Sequence, residues 1–225
     1  MGVPVIVAID GPAGAGKSTV ARLVAQNLGV PYLDTGALYR AIAFYLDSLN
    51  IPPVENNILA DALSALSIEL TDRGLLLNGE EAGCRIRSPR VDSIVSQYSA
   101  LPMVRRRLLS IQRDQGKKGL VADGRDMGTV VFPDATVKIF LTASDAVRAR
   151  RRYLELRARG ENVAFDDVLD VIRRRDRIDA ERTSAPLKKA DDAVEINTDG
   201  LTAEEAAREI LMHIERRAAE SEAHQ

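Results

Sequence analysis

A glycine-rich turn between a strand pattern and a helix pattern constrains this chain more than any other feature. Residues 5–9 form a short apolar run that predicts a buried strand, and residues 20–28 have the periodicity of a helix. Between them the chain carries the pattern G-x-x-x-x-G-K-[ST], as Gly11, Pro12, Ala13, Gly14, Ala15, Gly16, Lys17 and Ser18, followed directly by Thr19. Strand, loop and helix in this order predict a phosphate-binding loop (P-loop).

The residue types of this loop suit the binding of a polyphosphate. Glycines let successive backbone N–H groups turn inward into a concave nest, and the N-terminus of the following helix adds its positive dipole end. Lys17 would supply a mobile charge to the β- and γ-phosphates, and the Ser18 hydroxyl would ligate Mg²⁺. We therefore expect ATP at residues 11–19 and the metal at Ser18. The alternative is a glycine-rich turn that binds nothing.

Composition narrows the remaining classes of function. A net charge of -2 argues against a nucleic acid polymer as partner, because such binders are usually strongly basic. The single cysteine, Cys84, excludes an internal disulfide and fits a reducing cytoplasm, and the only histidines, His213 and His224, argue against zinc or histidine-based catalysis. There is no long apolar run and no basic N-terminal region. We expect a cytoplasmic protein with no membrane contact.

Apolar segments alternate with helical patterns along most of the chain. Residues 32–33, 120–122, 137–141 and 193–196 resemble further buried strands, which predicts an α/β fold of three layers, α/β/α, with a parallel central sheet. Asp10, Asp34, Asp123 and Thr142 lie at the carboxyl ends of these strands, where ligands collect in such sheets. Residues 202–205 have the pattern of a capping box that opens a C-terminal helix.

Two stretches depart from this alternation. Residues 68–79 predict two short strands with turns at Arg73-Gly74 and Asn78-Gly79, and we interpret residues 51–101 as a small α+β insertion. Residues 148–160 and 173–182 are rich in arginine. About half of these arginines are expected on solvated helix faces. The others could form a helical lid that closes over a transferring phosphoryl group.

These residues together make the chain resemble the bacterial cytidylate kinase family of P-loop nucleoside monophosphate kinases. The resemblance rests on residues 9–19, 33–40 and 122–135, and on the basic segment through Arg182 to residue 187, and it spans essentially the whole chain in order. It implies one kinase domain. Its core would be residues 1–50, 102–147 and 183–225, its acceptor-binding insertion about 51–101 and its arginine-rich lid about 148–182.

The resemblance implies which residues hold the phosphate of the acceptor nucleotide. Thr35 and Arg40 match the segment that binds the acceptor monophosphate, and Arg125 and Arg182 match arginines that grip its phosphate. A dianionic phosphate needs several forked cations of this kind. Asp123 matches an active-site carboxylate of this site, and its role stays open.

The resemblance also implies which residues read the base and the sugar. Ser96, Arg105 and Asp126 match positions that read cytosine, and Arg175 and Asp179 match contacts to the pentose. The chemistry agrees, since a carboxylate such as Asp126 can accept from the cytosine amine while Arg105 and Ser96 donate to its acceptors.

The implied reaction is direct in-line phosphoryl transfer from MgATP to CMP or dCMP by a monomeric enzyme. The residues that would act in this step are Lys17, Arg125, Arg175 and Arg182, and those that match the lid are Arg148, Arg151 and Arg152. Alternatives are a kinase for UMP or AMP, or a nucleotide-dependent switch. The Asp126 carboxylate favours cytosine over uracil, and the sequence contains no N-K-x-D motif that would read guanine.

Overall fold

The apolar segments of the sequence form the strands of one parallel sheet in the computed structural model, which describes residues 4–71 and 74–223. In chain order the elements are β1 (Ile6–Asp10), α1 (Lys17–Leu28), β2 (Tyr32–Asp34), α2 (Thr35–Ser48), α3 (Asn57–Ala65), β3 (Ile68–Thr71), β4 (Gly74–Leu77), β5 (Glu80–Glu81), α4 (Pro89–Ser99), α5 (Pro102–Gln115), β6 (Leu120–Asp123), β7 (Val137–Thr142), α6 (Asp145–Ala158), α7 (Phe165–Glu181), β8 (Val194–Asn197) and α8 (Ala203–Ala223). The central sheet has five strands in the order β2-β6-β1-β7-β8. The predicted α/β fold is confirmed.

Alternation along the strands divides the apolar core between the two faces of the sheet. Val7 and Ile9 of β1 pack with α1 and α8 on one face, whereas Ala8 packs with α2 on the other. Ile9 in the apolar cluster on one face and Ile42 in the cluster on the other face have no exposed surface. Burying such a side chain stabilises the fold by about 1.5–3 kcal/mol.

The register of the sheet brings the predicted carboxylates to one edge. All neighbouring strands are parallel, and Asp123 at the end of β6 lies opposite Ile9 of β1 and Asp34 of β2. Asp10, the last residue of β1, follows directly. Three adjacent strands, β2, β6 and β1, therefore each end in an aspartate, and all three lie at the edge of the sheet from which the loop after β1 leaves.

The capping box at the start of α8 is confirmed. Thr202 Oγ1 accepts from the Glu205 N–H at 3.2 Å, and Glu205 Oε2 accepts from the Thr202 N–H at 2.8 Å. This reciprocal pair satisfies two backbone donors that a helix start leaves free.

The insertion is α+β as expected but contains a third strand. β3, β4 and β5 form an antiparallel sheet, and the Asn78-Gly79 turn between β4 and β5 has positive φ at both residues, 49° and 82°. An Asn-Gly pair suits such a hairpin turn. In the other predicted turn, Arg73 lies outside the described residues. Ile68 and Leu77 join the same apolar cluster as α2, so the insertion packs on the main core.

The arginine-rich stretches form a helical hairpin of α6 and α7. Its own small core contains Ala149, Val168 and Ile172, and Tyr153 meets Phe165 edge to face. Several of its arginines are solvent-exposed, as the charge pattern predicts: Arg150, Arg157, Arg159, Arg173, Arg174 and Arg177. Within residues 4–71 and 74–223, the helices are all too short or too polar to cross a membrane.

Candidate active site

The P-loop connects β1 to α1 through a turn that requires glycine. Gly11 has φ of 147°, and a Cβ there would lie 1.9 Å from the carbonyl oxygen of Leu141. Helix α1 begins at Lys17, whose side chain is buried and donates from Nζ to the carbonyl of Pro12 at 2.7 Å. The loop therefore wraps around the Lys17 ammonium at the N-terminus of a helix.

The charge of Lys17 is poorly compensated. Burial lowers its pKa well below the ordinary value, and the nearby Arg125 adds to this, although Asp123 and Asp10 act in the opposite direction. An anion bound in the loop would offset the cost of keeping this ammonium charged.

Asp123 connects the P-loop to β2 and α2. Its carboxylate accepts from the Ser18 hydroxyl at 2.9 Å and from the Tyr32 hydroxyl at 2.6 Å, while its carbonyl accepts from Thr35 Oγ1 at 2.6 Å. Burial and Asp34 raise the pKa of Asp123, and the bonds from Tyr32 and Ser18 oppose this rise. Sequence reasoning missed Tyr32. Its position two residues before Asp34, on a strand parallel to β6, was the available signal.

Asp10 holds the segment that follows β6. Its two carboxylate oxygens accept from the backbone N–H groups of Met127 and Gly128, both at 2.8 Å. These residues begin a short π-helical turn, Met127–Val131, directly after Arg125 and Asp126. Asp10 therefore fixes the backbone beside two of the predicted acceptor-binding residues.

Replacing Asp10 with asparagine should make stability less sensitive to pH. Burial raises the pKa of Asp10 to about 6, against an ordinary value of 3.8, although the bonds from Gly128 and Met127 oppose this. The folded protein thus binds the proton more tightly than the unfolded chain, and this contribution to stability disappears as pH rises from about 4 through 6. Between pH 4 and 7, wild type should lose about 2–3 kcal/mol relative to Asp10→Asn in denaturant unfolding. A difference that is constant over this range would contradict the assignment.

Ion pairs join the predicted base-reading and sugar-binding residues. Asp126 is buried and accepts from Arg105 and, at 3.3 Å, from Arg182. Asp179 on α7 accepts from Arg125 Nε at 2.9 Å. Burial alone would raise the pKa of Asp179, but Arg125 and Arg182 hold it below its ordinary value. Five charged side chains from three separate stretches of the sequence thus meet in one network.

Arg175 and Arg40 form a region of excess positive charge beside this network. Arg175 Nε is buried and has no hydrogen-bond partner among the described residues. Burial, followed by Arg40 and Arg125, lowers the pKa of Arg175 to about 10. Arg40 lies 2.8 Å from Asp92, and its pKa too is lowered, chiefly by burial. Such a cluster favours a bound anion.

One cleft of about 540 Å³ runs from the P-loop to this cationic region. Most predicted site residues line it: Ala13, Gly14, Ala15, Gly16, Lys17, Ser18, Thr19, Thr35, Arg40, Ser96, Asp123, Arg125, Asp126, Arg151, Arg152, Arg175, Asp179 and Arg182. Gly11, Pro12, Arg105 and Arg148 lie outside the lining. Arg105 stands behind Asp126, and Arg148 stands behind the P-loop.

The lid arginines have different surroundings. Arg151 donates to the Thr198 carbonyl at 2.6 Å, in the turn after β8, and Arg152 pairs with Glu155 at 2.9 Å and with Asp92. Arg148 is buried and donates to the Ala13 carbonyl at 2.9 Å. The partners Asp92 and Thr198 carry no local motif, so sequence reasoning did not single them out.

A P-loop at the carboxyl edge of a parallel sheet, facing a cluster of buried arginines across one cleft, is the arrangement of a P-loop phosphotransferase. The sequence model of the family described as cytidylate kinase matches residues 7–216, and the chain belongs to the cytidylate kinase family. The resemblance seen in the sequence is confirmed, and membership of a kinase family implies ATP-dependent phosphoryl transfer.

Individual relatives agree over nearly the full length. The chain is 50% identical to the cytidylate kinase of Fervidobacterium nodosum over 206 residues, which are 91% of this chain and 94% of that protein. It is 46% identical to the cytidylate kinase of Clostridium tetani over 212 residues, 94% of each chain. A crystal structure of an uncharacterized protein from Eubacterium ventriosum is similar in fold alone, with a TM-score of 0.51 and 14% identity over 94% of this chain and 98% of that one.

Proposed function

We propose that the chain transfers the γ-phosphoryl group of ATP to CMP and dCMP, giving ADP and CDP or dCDP. The observation that carries this proposal is the single cleft that joins the P-loop to the guanidinium of Arg175, whose buried Nε has no hydrogen-bond partner among the described residues. One end of this cleft suits the phosphates of a donor nucleotide and the other suits the phosphate of an acceptor. Two anion sites in one cleft fit transfer between nucleotides better than binding of one.

Residues 11–19 would hold the ATP phosphates, with Lys17 on the β- and γ-phosphates. The Ser18 hydroxyl and the Asp123 carboxylate, 2.9 Å apart, are oxygen donors of the kind that Mg²⁺ prefers, so the residues present fit this ion. Ser18, with Asp123 beside it, would hold Mg²⁺, which when bound neutralises charge on the phosphates. Asp123 thereby gains a proposed role in the donor site.

The acceptor phosphate would bind to Arg40, Arg125 and Arg182, with Thr35 at its edge and Arg175 beside Arg40. Arg40 and Arg175 have pKa values lowered by burial, so a dianion between them would recover the cost of their desolvation. Arg125 lies on the P-loop side of this cluster, since it is also close enough to affect the pKa of Lys17. It would therefore stabilise charge on the group in transit.

Cytosine would be read at the buried end of the acceptor site. Asp126 would accept from the exocyclic amine, and Ser96 would donate to a ring acceptor. Arg105, which lies outside the cleft lining in the free protein, would donate to a ring acceptor once the site closes on the nucleotide. Arg105 and Arg182 both bond to Asp126 and fix its orientation. Because uracil presents a carbonyl where cytosine has the amine, a fixed carboxylate at this place disfavours UMP.

The pentose would lie between the base and the phosphate, against Asp179 and Arg175. Asp179 is 4% exposed and is held by Arg125 and Arg182, which limits its movement. Arg182 also donates from Nε to the Ala185 carbonyl at 2.6 Å. We infer that Arg182 acts both on the transferring charge and as an organiser of Asp126 and Asp179.

The proposed domain organisation assigns the core, the insertion and the lid to separate segments of the chain. Residues 1–50, 102–147 and 183–225 would be the core, about 51–101 the acceptor-binding insertion and about 148–182 the lid. Closure of the insertion and the lid would exclude water, which otherwise hydrolyses ATP. We further infer that the chain acts as a cytoplasmic monomer, and the exposed thiol of Cys84 suits a reducing compartment.

The test is whether ADP formation depends on the acceptor. With MgATP and CMP, a coupled assay should detect ADP, and anion-exchange chromatography should detect an equal amount of CDP. Without an acceptor, ADP formation should fall by at least about 10²-fold, because no in-line nucleophile is positioned. Equal ADP formation with and without CMP would instead indicate a nucleotide-dependent switch.

A further inference from the structure

The tip of the P-loop is hydrogen-bonded to the lid hairpin through both backbone polar groups of one residue, Ala13. The Ala13 N–H donates to Asp176 Oδ1 at 3.2 Å, and the Ala13 carbonyl accepts from Arg148 Nη1 at 2.9 Å. Asp176 on α7 and Arg148 on α6 also pair with each other through Nη1, at 2.5 Å. A closed ring of contacts therefore joins the loop to both helices of the hairpin.

Arg148 is held on its other sides as well. Its Nε donates to the Ala143 carbonyl at 2.9 Å, its Nη2 pairs with Asp145, and its side chain is 4% exposed. Gly14 has φ of 78°, and a Cβ there would lie 3.0 Å from the Cβ of Arg148, so glycine lets α6 approach the loop closely. A guanidinium with two carboxylate partners and two carbonyl partners is not a free charge that can swing onto a phosphate.

Helix α7, which carries Asp176, also carries the residues proposed to contact the acceptor nucleotide. Asp176 directly follows Arg175, and Asp179 lies one turn further along α7. Because a helix is a rigid element with a rise of about 1.5 Å per residue, the contact between Asp176 and Ala13 sets where Arg175 and Asp179 stand relative to phosphates in the P-loop. Phosphoryl transfer depends on this alignment, and a misplacement of about 1 Å can lower the rate about 10²-fold.

We propose that Arg148 and Asp176 are positioning residues that fasten the P-loop to the lid hairpin and so align donor and acceptor. Arg148 then belongs to the end of the lid hairpin that is fixed to the P-loop. The consequence for the reaction rests on the proposed kinase function, whereas the fastening itself is a property of the free protein.

The test compares Asp176→Asn with Asp170→Asn, an exposed carboxylate on the same helix. Asp176→Asn should lower kcat about 10- to 100-fold, with the KM for CMP and the calorimetric Kd for CMP changed less than about 3-fold. Asp170→Asn should leave all three unchanged. An unchanged kcat in Asp176→Asn, or an equal loss in the binding of CMP, would overturn the positioning role.

A double-mutant cycle keeps the proposal testable if one variant is unstable. Arg148→Lys and Asp176→Asn should together cost about as much kcat as either alone, because each breaks the same ring. Additive losses would overturn the proposal.

Hydrogen exchange in the free protein gives a readout independent of activity, since the Ala13 amide should exchange at least about 10-fold faster in Asp176→Asn than in Asp170→Asn. Equal exchange would overturn the fastening even if the wild type proved to be a kinase. Faster exchange in a protein without CMP-dependent ADP formation would refute only the proposed function.

Discussion

Replacing Arg175 with methionine is expected to lower kcat by about 10³-fold and at the same time to stabilise the free protein. The loss of rate follows because the guanidinium would spread the charge of the transferring phosphoryl group. The gain in stability follows because the free protein holds this cation without a hydrogen-bond partner for Nε among the described residues. Methionine keeps the apolar stem and removes the charge.

The pKa of Arg175 gives the sign and the size of the stability change. Burial, Arg40 and Arg125 lower this pKa from the ordinary arginine value to about 10, so the folded state disfavours the charged form that the unfolded chain carries. Each pKa unit is worth about 1.4 kcal/mol, and the free energy of unfolding at pH 7 should rise by about 1–3 kcal/mol. Most mutations destabilise, so an increase is a demanding outcome.

Denaturant unfolding and steady-state kinetics on the same preparation measure both effects. The matched control is Arg174→Met, which removes an exposed arginine from the neighbouring position of α7. The control should change neither quantity appreciably. A variant Arg175→Met less stable than wild type would contradict the conclusion that burying this cation costs stability in the free protein. A near-normal kcat would contradict its proposed role in stabilising the transferring phosphoryl group.

Replacing Asp126 with asparagine should have the largest effect on stability. The carboxylate is 1% exposed and neutralises Arg105 and Arg182, whose side chains are 7% and 2% exposed. Removing one member of a buried charge group leaves the others unpaired and typically costs about 3–5 kcal/mol. The kcat/KM for CMP should fall at least about 10²-fold, because the acceptor for the cytosine amine is weakened and misoriented.

The ratio of kcat/KM for CMP to that for UMP in Asp126→Asn distinguishes a role of Asp126 in base recognition from a role in folding alone. Loss of folding would lower kcat/KM for every acceptor equally, whereas loss of base reading should bring the CMP and UMP values to within about tenfold of each other. Asp134→Asn, which removes an exposed carboxylate from the same stretch, is the control and should keep the wild-type ratio. An unchanged ratio in Asp126→Asn would remove Asp126 from the base site.

The sequence predicts the donor half of the cleft well because its signals are local. The P-loop pattern lies within nine consecutive positions, residues 11–19, and short apolar runs mark the strands that end in Asp10, Asp34 and Asp123. Parallel pairing then brings these ends to one edge without further information. The acceptor residues came from the family resemblance. The structure brings most of them to one cleft, whereas their individual roles stay a proposal.

What the sequence does not reveal are contacts between distant segments. Asp176 reaches Ala13 across 163 positions, and Asp92 on α4 meets Arg152 on α6 across 60 positions. A lone aspartate in a charged helix has no pattern that distinguishes it from a solvated one. The third strand of the insertion escaped prediction for another reason, since β5 has only two residues, too few to show alternation.

The preference of the acceptor site for cytosine is tested most directly by kcat/KM of the wild-type protein for CMP, dCMP, UMP and AMP, each with saturating MgATP. We expect the values for CMP and dCMP to exceed those for UMP and AMP by at least about 10²-fold. Uracil presents a carbonyl rather than an amine to the Asp126 carboxylate, and adenine has an amine but no counterpart of the cytosine O2 for the donors of Ser96 and Arg105. Values for UMP or AMP equal to that for CMP would contradict this expectation.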